Sequence, residues 1–318
     1  MNPFLDLELD LILWLRATLP GLVSVFEVLT SLGNEMFFLV FLPLVYWCLD
    51  RATGARLTIL FLTSAATNAG AKALFDQPRP FTYAPTRVAH LFDMPLAEAQ
   101  ERYEATGNGF PSGHTQNTLT IWGYLAARAR RLHLPTFAAA GALVLVVAAL
   151  LILLVPLSRI YLAVHFPRDL AGGYVIGALL LGLFLWLEPR ATAALVRLGL
   201  PWQVGIAVTV PALAMLLYPH EATVTAGATL MGMGVGFAID RRWVHFETAG
   251  PAWQRALRFA LGIAGMLVLY AGLKALFAPL TPVLLWRFIR YALMGLWGSV
   301  GAPWVFARLG LTNTHSPP

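Results

Sequence analysis

Long apolar runs separated by short polar segments dominate the chain. Nine runs approach the length of about 20 residues that a helix needs to cross a bilayer. They lie at residues 35–49, 56–75, 113–128, 135–156, 168–188, 203–218, 222–238, 256–276 and 283–306. Because lipid offers no partner for backbone N–H and C=O groups, runs of this kind form helices. The pattern therefore predicts an all-α fold, a polytopic helical bundle embedded in a membrane.

The first 34 residues are also apolar, but charged residues interrupt them. Five charges fall within this segment, at Asp6, Glu8, Asp10, Arg16 and Glu27. Each would cost about 2.5–3.5 kcal/mol at the centre of a bilayer. We therefore interpret the segment as one or two helices lying in the membrane interface. A true first membrane span is the alternative.

Arginines in the short loops predict the orientation of the bundle. Every second loop has an excess of positive charge, with its arginines at Arg51 and Arg56, Arg128, Arg130 and Arg131, Arg190 and Arg197, and Arg241, Arg242 and Arg255. Cytoplasmic loops carry such an excess. Residues 76–112, 157–167, 219–221 and 277–282 are then predicted to face the other side.

The composition agrees with a membrane environment. Only 12% of the residues are charged and 58% are hydrophobic, whereas soluble domains carry about 25% charged residues. The net charge of +6 comes from loop arginines that orient the chain, so a nucleic-acid partner is not indicated. Cys48 is the only cysteine, which excludes an intramolecular disulfide and a cysteine-based metal site.

Three polar clusters interrupt the apolar pattern at predicted outer ends of helices. They are Lys72 with Arg79-Pro80, then Pro111-Ser112-Gly113-His114, then Ser158-Arg159 with His165 and Asp169. Each cluster alone is also typical of an interface arginine, a helix start or a satisfied histidine. Their common membrane face favours one shared site instead.

The residue types in these clusters suit phosphate chemistry. Three cations, together with the N–H groups where a helix starts at Ser112-Gly113, can bind an anion with several charged oxygens. Two histidines can divide the work of nucleophile and general acid. Asp169 lies four residues after His165, so in a helix it can hold one ring nitrogen and leave the other free to attack phosphorus.

The three clusters resemble the three-part signature of the type 2 phosphatidic acid phosphatase superfamily. That group also includes glucose-6-phosphatase-like enzymes, sphingosine-1-phosphate phosphatases and vanadium haloperoxidases. The resemblance covers roughly residues 35–190 and implies a catalytic core of six helices. The last third of the chain lies outside this core, and its apolar runs predict about four further transmembrane helices. The implied domains are an N-terminal interfacial or first membrane helix at 1–34, the core at 35–190 and a transmembrane extension at 191–318.

The resemblance also implies a role for each signature residue. His165 is the expected nucleophile, Asp169 orients it, and His114 protonates the leaving group and later activates water. The phosphoryl oxygens are expected to bind the side chains and backbone of Lys72, Arg79, Ser112, Gly113 and Arg159. Neither a metal nor another cofactor is implied.

The implied function is hydrolysis of a lipid phosphate or diphosphate through a phosphohistidine. Phosphatidate, a sphingoid or lysolipid phosphate and a polyprenyl diphosphate are all compatible substrates. A phosphatase of soluble phosphate esters and a lipid transporter or binding protein are the alternatives. We expect an integral protein of a bacterial inner membrane, with its active site on the non-cytoplasmic face.

Two further features leave alternatives open. Asp93-Met94-Pro95 predicts the start of a short acidic helix over residues 97–104, which we interpret as a solvated surface helix rather than a lid over the site. Residues 69–75 recur as residues 271–277, so that Lys274 repeats Lys72. Chance repetition and a lipid-facing anchor are the preferred explanation of Lys274, and contact with a second anionic group of the substrate is the alternative.

Overall fold

The computed structural model of the chain describes residues 2–131 and 138–312, and it describes side chains there except at residues 130–140. Within these residues the chain forms helices and loops without a β-strand, which confirms the all-α prediction. The start of the predicted run 135–156 and the side chains of Arg130 and Arg131 lie outside this description.

The chain divides into two compact units. The first comprises Met1–Phe38 and Thr67–Trp186, and the second comprises Leu39–Ala66 and Leu187–Pro318. The division predicted from sequence, at residues 1–34, 35–190 and 191–318, concerns catalytic core and extension and stays a prediction.

The N-terminal half begins with four helices. They are α1 (Pro3–Thr18), α2 (Val23–Ser31), α3 (Glu35–Leu44), which continues as a π-helical turn (Val45–Leu49), and α4 (Arg51–Phe75). The side chain of Asn2 accepts a hydrogen bond from the Phe4 N–H, and Pro3 occupies the first turn. These residues start α1 because they satisfy or remove N–H groups that have no partner within the helix.

Short helices follow in the loop that precedes the second polar cluster. They are α5 (Pro80–Tyr83), α6 (Pro85–Val88) with a 3₁₀ turn (Ala89–Leu91), and α7 (Leu96–Arg102). The helix predicted at 97–104 is thus present but ends earlier, because Glu104 adopts a left-handed conformation with φ of 50°. Its N-cap position is Pro95 rather than Asp93.

Three long helices carry the rest of the first unit and lead into the second. They are α8 (Gly113–Arg131), α9 (Ala138–Tyr161) and α10 (Pro167–Arg197). The remaining helices are α11 (Leu200–Leu217), α12 (Glu221–Ile239) with a π turn (Asp240–Val244), α13 (Ala252–Phe277), α14 (Val283–Leu296) with a π turn (Trp297–Gly301), and α15 (Ala302–Arg308).

Five helices of the described residues are long and apolar enough to cross a membrane. They cover Gly141–Tyr161, Pro167–Arg197, Leu200–Leu217, Glu221–Val244 and Ala252–Phe277. The pair α1 and α2 would add a sixth if it formed one span, but the two helices are bent by 118° at their break. Five of the nine predicted runs meet these criteria of length and apolarity, and the number of nine spans stays a prediction.

The difference lies at the runs 35–49, 56–75, 113–128 and 283–306, which form helices that are shorter or more polar. Helix α8 shows the physical reason, because its side chains Thr115, Gln116, Thr118 and Thr120 are polar and buried. These residues face the protein interior, so they lower the apolarity of the helix without facing lipid.

The N-terminal helices pack within the first unit against the end of α9. Leu5, Leu9 and Ile12 of α1 are buried in one apolar cluster with Phe26 of α2 and with Tyr161. The rings of Phe26 and Tyr161 stack with centroids 4.0 Å apart, and the Tyr161 hydroxyl donates to the Leu19 carbonyl at 2.7 Å. This packing fixes residues 27–34 beside the polar clusters described below.

In the second unit, α12 and α14 pack closely along small residues. A Cβ atom added at Gly232 would lie 2.1 Å from the Ala292 carbonyl oxygen, and one at Gly295 would lie 2.4 Å from the Thr229 carbonyl oxygen. Only glycine permits this approach of two helix backbones, as in other membrane helix pairs. Arg51 and the buried Asp240 form an ion pair within the same unit.

Candidate functional site

His165 lies in the short loop between α9 and α10, and Asp169 lies in the first turn of α10. The Nδ1 atom of His165 is 3.0 Å from Asp169 Oδ2, and the same oxygen accepts a hydrogen bond from the Phe166 N–H at 2.9 Å. The Asp169 carbonyl accepts from the Ser112 N–H at 2.9 Å. The third polar cluster is thereby joined to the second through the backbone.

The Arg79 guanidinium is buried and held by three backbone carbonyls. Its Nε donates to Gly107 at 2.9 Å, its Nη1 to Val164 at 3.0 Å and its Nη2 to Thr106 at 3.2 Å. The fourth contact is between Nη1 and His165 Nε2, at 3.0 Å. Arg79 is thus placed rigidly against the histidine ring.

These contacts assign the tautomer of His165. Since a guanidinium can only donate hydrogen bonds, the Nε2 atom facing Arg79 must be the acceptor. The proton of the neutral ring is then on Nδ1, where it is donated to the Asp169 carboxylate. The lone pair of Nε2 points toward the cation.

His114 is buried at the start of α8 and is held by a residue outside the three clusters. Its Nε2 lies 2.8 Å from Asn34 Oδ1, and because the amide oxygen accepts, this nitrogen donates. A Cβ at Gly33 would come within 2.9 Å of the ring. The turn between α2 and α3 therefore packs directly against the second histidine.

Arg159 is the second fully buried guanidinium of the site. Its Nη1 donates to Thr30 Oγ1 and its Nη2 to the Tyr103 carbonyl, both at 2.7 Å. Its Nε is buried and has no hydrogen-bond partner among the described residues. One donor of this guanidinium is consequently free for a ligand.

Ser112 and Gly113 form the start of α8. The Ser112 side chain is buried and accepts from the Thr115 N–H at 3.4 Å, which is the position of an N-cap residue. A Cβ at Gly113 would lie 3.0 Å from Asn68 Oδ1, so the backbone approaches a polar side chain closely here. The helix start leaves N–H groups without intrahelical partners, as an anion site requires.

Lys72 lies in the last turn of α4 and is partly exposed. Within residues 2–131 and 138–312 its ammonium has no ion pair or hydrogen bond to the protein, whereas its carbonyl accepts from Asn108 Nδ2 at 3.0 Å. The ammonium is available to a ligand in the same way as the Arg159 Nε.

Burial and positive charge lower the pKa of His165 well below its usual value. Burial has the largest effect, and the charges of Arg79, Arg159 and Lys72 act in the same direction. The ring is therefore neutral at physiological pH. Burial also lowers the pKa of Arg79, to about 10, against the opposing effect of Asp169, so Arg79 stays charged at pH 7.

The structure brings the signature residues of the first unit together and adds three that the sequence interpretation missed. Asn34, Thr30 and Tyr103 hold His114 and Arg159, as described above. The loop after α7 supplies carbonyls to both arginines, whereas Glu98, Glu101 and Arg102 are exposed. The prediction of a solvated surface helix therefore describes the outer face of α7. It omits the role of residues 103–107, whose carbonyls hold the two arginines.

No metal centre is evident in the part of the chain that the structure describes. Nowhere in it do three or more histidine, cysteine, aspartate or glutamate side chains form a group that could hold an ion. His165, His114 and Asp169 are neighbours of cations, which is the opposite of the environment that a metal ion favours.

Two family models match the chain. The model of the PAP2 superfamily matches residues 53–193, and the model described as PAP2 superfamily phosphatase, transmembrane extension, matches residues 224–314. The first range contains all three polar clusters, and the second covers α12 to α15.

Curated relatives match over about half of this chain. Lipid phosphate phosphatase delta of Arabidopsis thaliana is 29% identical over 52% of the chain and 38% of its own length. Sphingosine-1-phosphate phosphatase 2 of Homo sapiens is 30% identical over 49% and 35%. Phosphatidylglycerophosphatase B of Bacillus subtilis is 27% identical over 51% and 72%. The chain thus matches well under half the length of the first two.

One solved structure is similar. It is the crystal structure of a transmembrane PAP2 type phosphatidylglycerolphosphate phosphatase from Bacillus subtilis, with 23% identity and a TM-score of 0.46. The similarity covers 60% of this chain and 88% of that one.

Proposed function

Because this chain belongs to the PAP2 superfamily, the type 2 phosphatidic acid phosphatases, and is an integral membrane protein, we propose that it hydrolyses a lipid phosphate or diphosphate. The observation that carries the proposal is the setting of His165. Its Nδ1 is 3.0 Å from the Asp169 carboxylate and its Nε2 is 3.0 Å from the Arg79 guanidinium. The ring is thereby oriented, neutral and turned with its lone pair toward a cation that can hold phosphate.

The first step is attack of His165 Nε2 on phosphorus. In the free site, Arg79 Nη1 donates a hydrogen bond to His165 Nε2. When substrate binds, a phosphoryl oxygen replaces Nε2 as the acceptor of this hydrogen bond. The lone pair of Nε2 is then free, and phosphorus lies beside it. The N–P bond forms while the bond from phosphorus to the leaving oxygen breaks. His114, as an imidazolium whose Nε2 proton is donated to Asn34, gives its Nδ1 proton to the leaving oxygen and becomes neutral, while Asp169 stabilises the positive charge on His165.

The phosphoryl oxygens are stabilised by donors that are already in place. Arg159 offers its Nε, Lys72 its ammonium, and α8 offers its first N–H groups together with Ser112 and Gly113. Fixed donors of this kind stabilise the transition state without reorganising during the reaction. The arrangement favours a group with three charged oxygens over a carboxylate.

The second step returns the enzyme to its starting state. Water attacks the phosphohistidine, the N–P bond breaks, and His114 accepts the proton that the water loses. The products are inorganic phosphate, released from His165, and the leaving group of the first step, which is the lipid alcohol from a monophosphate and the lipid monophosphate from a diphosphate. Both steps use the side chains named above and one water molecule.

A lipid is the favoured substrate for two reasons. The relatives are named for a lipid phosphate, sphingosine-1-phosphate and phosphatidylglycerophosphate, and the chain itself lies in a membrane. A panel of phosphatidate, lysophosphatidate, a polyprenyl diphosphate and glucose 6-phosphate tests the class by phosphate release in detergent micelles. We expect release from lipids and little from the sugar phosphate. A preference for the sugar phosphate would support the soluble-ester alternative and contradict the proposal.

We place the site on the non-cytoplasmic face of a bacterial inner membrane, from the loop charge alternation. Thr86 lies in α6 and is exposed. The single cysteine, Cys48, is buried. In a Cys48→Ala background, Thr86→Cys should react with an impermeant thiol reagent added to intact cells. Cys48→Ala alone is the control, and labelling of Thr86→Cys only after lysis would reverse the orientation.

A further inference from the structure

Three helices of the second unit bring polar side chains to one place. Helix α12 contributes Glu221 and Thr225, α13 contributes Tyr270 and Lys274, and α14 contributes Arg287 and Arg290. Each pair is spaced by three or four residues and therefore shares a face of its helix. We call Lys274, Arg287 and Arg290 the C-terminal cation cluster.

Contacts within the unit join these side chains. Arg287 Nη2 donates to Glu221 Oε2 at 2.6 Å, and its Nη1 donates to Thr225 Oγ1 at 3.4 Å. The Arg290 guanidinium lies 5.4 Å from the centre of the Tyr270 ring, and Lys274 Nζ lies 6.0 Å from the same centre. Two cations thus share one aromatic ring, which attracts each of them.

The cluster has more positive charge than its neighbours neutralise. Glu221 pairs with Arg287, while neither Lys274 nor Arg290 forms an ion pair within the residues that the structure describes. The Nε atoms of Arg287 and Arg290 are buried without a hydrogen bond to another described residue. The guanidiniums are therefore held against neighbouring helices, with donors left over, rather than extended into solvent as simple anchors.

The position of the cluster indicates what its ligand must be. Glu221 begins one membrane-spanning helix and Lys274 lies in the last turn of another, so the cluster lies at a helix end, where headgroups are. Large apolar side chains are exposed beside it, with 86% of Leu217, 63% of Leu276 and 58% of Val283 accessible. A ligand with an anionic head and apolar chains fits both features.

We propose that the C-terminal cation cluster binds the phosphate of an anionic phospholipid, with the acyl chains lying on the exposed apolar side chains. Basic pockets between transmembrane helices bind anionic headgroups in this way. The site goes beyond the proposed hydrolysis, because a phosphodiester headgroup such as that of phosphatidylglycerol is bound without being cleaved.

Native mass spectrometry of the purified protein, titrated with phosphatidylglycerol or phosphatidylcholine, tests the proposal. Phosphatidylglycerol should bind more tightly to the wild type than phosphatidylcholine. The double variant Lys274→Met/Arg290→Met should bind phosphatidylglycerol about thirtyfold more weakly, since each cation near the surface contributes about a factor of five. Arg308→Met is the matched control, because Arg308 lies 5.1 Å from the Trp304 ring and belongs to another helix.

A second variant keeps the test decisive if the double variant unfolds. Glu221→Gln removes the one carboxylate that pairs with the cluster among the described side chains, and it should strengthen binding of phosphatidylglycerol. Excess inorganic phosphate should not displace the lipid. Displacement would contradict the proposal, because it would show that the cluster binds a free anion rather than a phospholipid. Equal retention of phosphatidylglycerol by wild type and double variant would overturn the proposal in favour of interface anchors. None of these measurements depends on turnover, so they remain valid if the proposed hydrolysis is wrong.

Discussion

The histidine site of the first unit and the C-terminal cation cluster of the second both collect arginines and a lysine, yet they hold them differently. In the first, backbone carbonyls fix Arg79 through three hydrogen bonds and Arg159 through one. In the second, Arg290 lies over aromatic rings and only Arg287 pairs with a carboxylate. Fixed donors suit a reaction whose charge develops at one point, whereas cations that lie over aromatic rings and keep unused donors suit a headgroup that binds in several orientations.

Replacing the nucleophile should separate the two sites most strongly. We expect His165→Ala to lower the turnover number by about four orders of magnitude or more, because no other described histidine lies between a carboxylate and a guanidinium. Acid-labile phosphate should be trapped on the wild type and absent from the variant. Binding of phosphatidylglycerol to the cation cluster should not change.

His220→Ala is the matched control for that experiment. His220 caps α12 and stacks on Tyr218, in the second unit. Its loss should leave turnover near that of the wild type. Substantial turnover in His165→Ala, or an equal loss in His220→Ala, would contradict the assignment of the nucleophile.

The parts of the site that follow a local sequence pattern are predictable from the sequence. The contact between His165 and Asp169 follows from their spacing of four residues at a helix start, and Ser112-Gly113 follows from the composition of a helix N-terminus. Asn34 could not be found in this way, because it is 80 positions from His114. Thr30 is 129 positions from Arg159, and neither residue belongs to a motif. Their roles depend on how the bent pair α1 and α2 packs.

Four of the nine predicted runs are less apolar or shorter than the other five for a related reason. Helix α8 carries buried polar residues, and α14 carries Arg287 and Arg290. Apolarity along the chain cannot distinguish a polar residue that faces protein from one that faces lipid. Helices that carry buried polar or cationic side chains are therefore the ones in which the hydropathy signal of a membrane span is weakest.

Asn34 gives the next largest predicted effect. We expect Asn34→Ala to lower kcat about ten- to hundredfold with little change in KM, because a small misplacement of His114 slows proton transfer without removing phosphate donors. Asn34→Asp should instead shift the basic limb of the pH profile to higher pH, since a carboxylate beside the ring stabilises the protonated form in which His114 acts as general acid.

Ser31→Ala is the control for this pair of variants. The Ser31 hydroxyl is exposed and donates to the Val28 carbonyl of its own helix, so its loss should leave both kcat and the pH profile unchanged. If Asn34→Ala changed stability but neither kcat nor the pH profile of the folded protein, Asn34 would have only a structural role.

The pH dependence of the rate tests the electrostatics of the site. Neutral His165 is the reactive form, and burial with the charges of Arg79, Arg159 and Lys72 lowers its pKa well below the usual value. Activity governed by this group is therefore retained as pH falls through 6.5 and is lost only below the lowered pKa. Lys72→Met removes one of the positive charges and should move this acidic limb of kcat/KM to higher pH.

The comparison is made on one substrate, so that ionisation of the substrate phosphate affects both proteins alike. Lys274→Met is the control, because Lys274 is the other lysine of the chain and does not contribute to the pKa of His165. An acidic limb at the same pH in wild type and Lys72→Met would refute the electrostatic explanation.

Lys274→Met gives the smallest predicted kinetic effect and separates the two interpretations of the repeated segment. Lys274 repeats Lys72 in sequence, but the Lys72 ammonium has no hydrogen bond or ion pair to any side chain that the structure describes, whereas Lys274 lies over Tyr270 and near Arg290. A residue that belongs to a lipid-binding cluster should affect monophosphate and diphosphate substrates equally. We therefore expect kcat/KM to change less than about twofold for both, the size expected when a single surface charge is lost.

The alternative makes a different prediction on the same protein. If Lys274 contacts the outer phosphate of a diphosphate, its replacement should raise the KM for a polyprenyl diphosphate several-fold more than the KM for the corresponding monophosphate. Arg308→Met serves as the matched control, since it removes another cation that lies over an aromatic ring. A selective loss with the diphosphate would join the two regions in one function and contradict the division of roles, because a cation that only holds a structural lipid cannot distinguish one substrate phosphate from two.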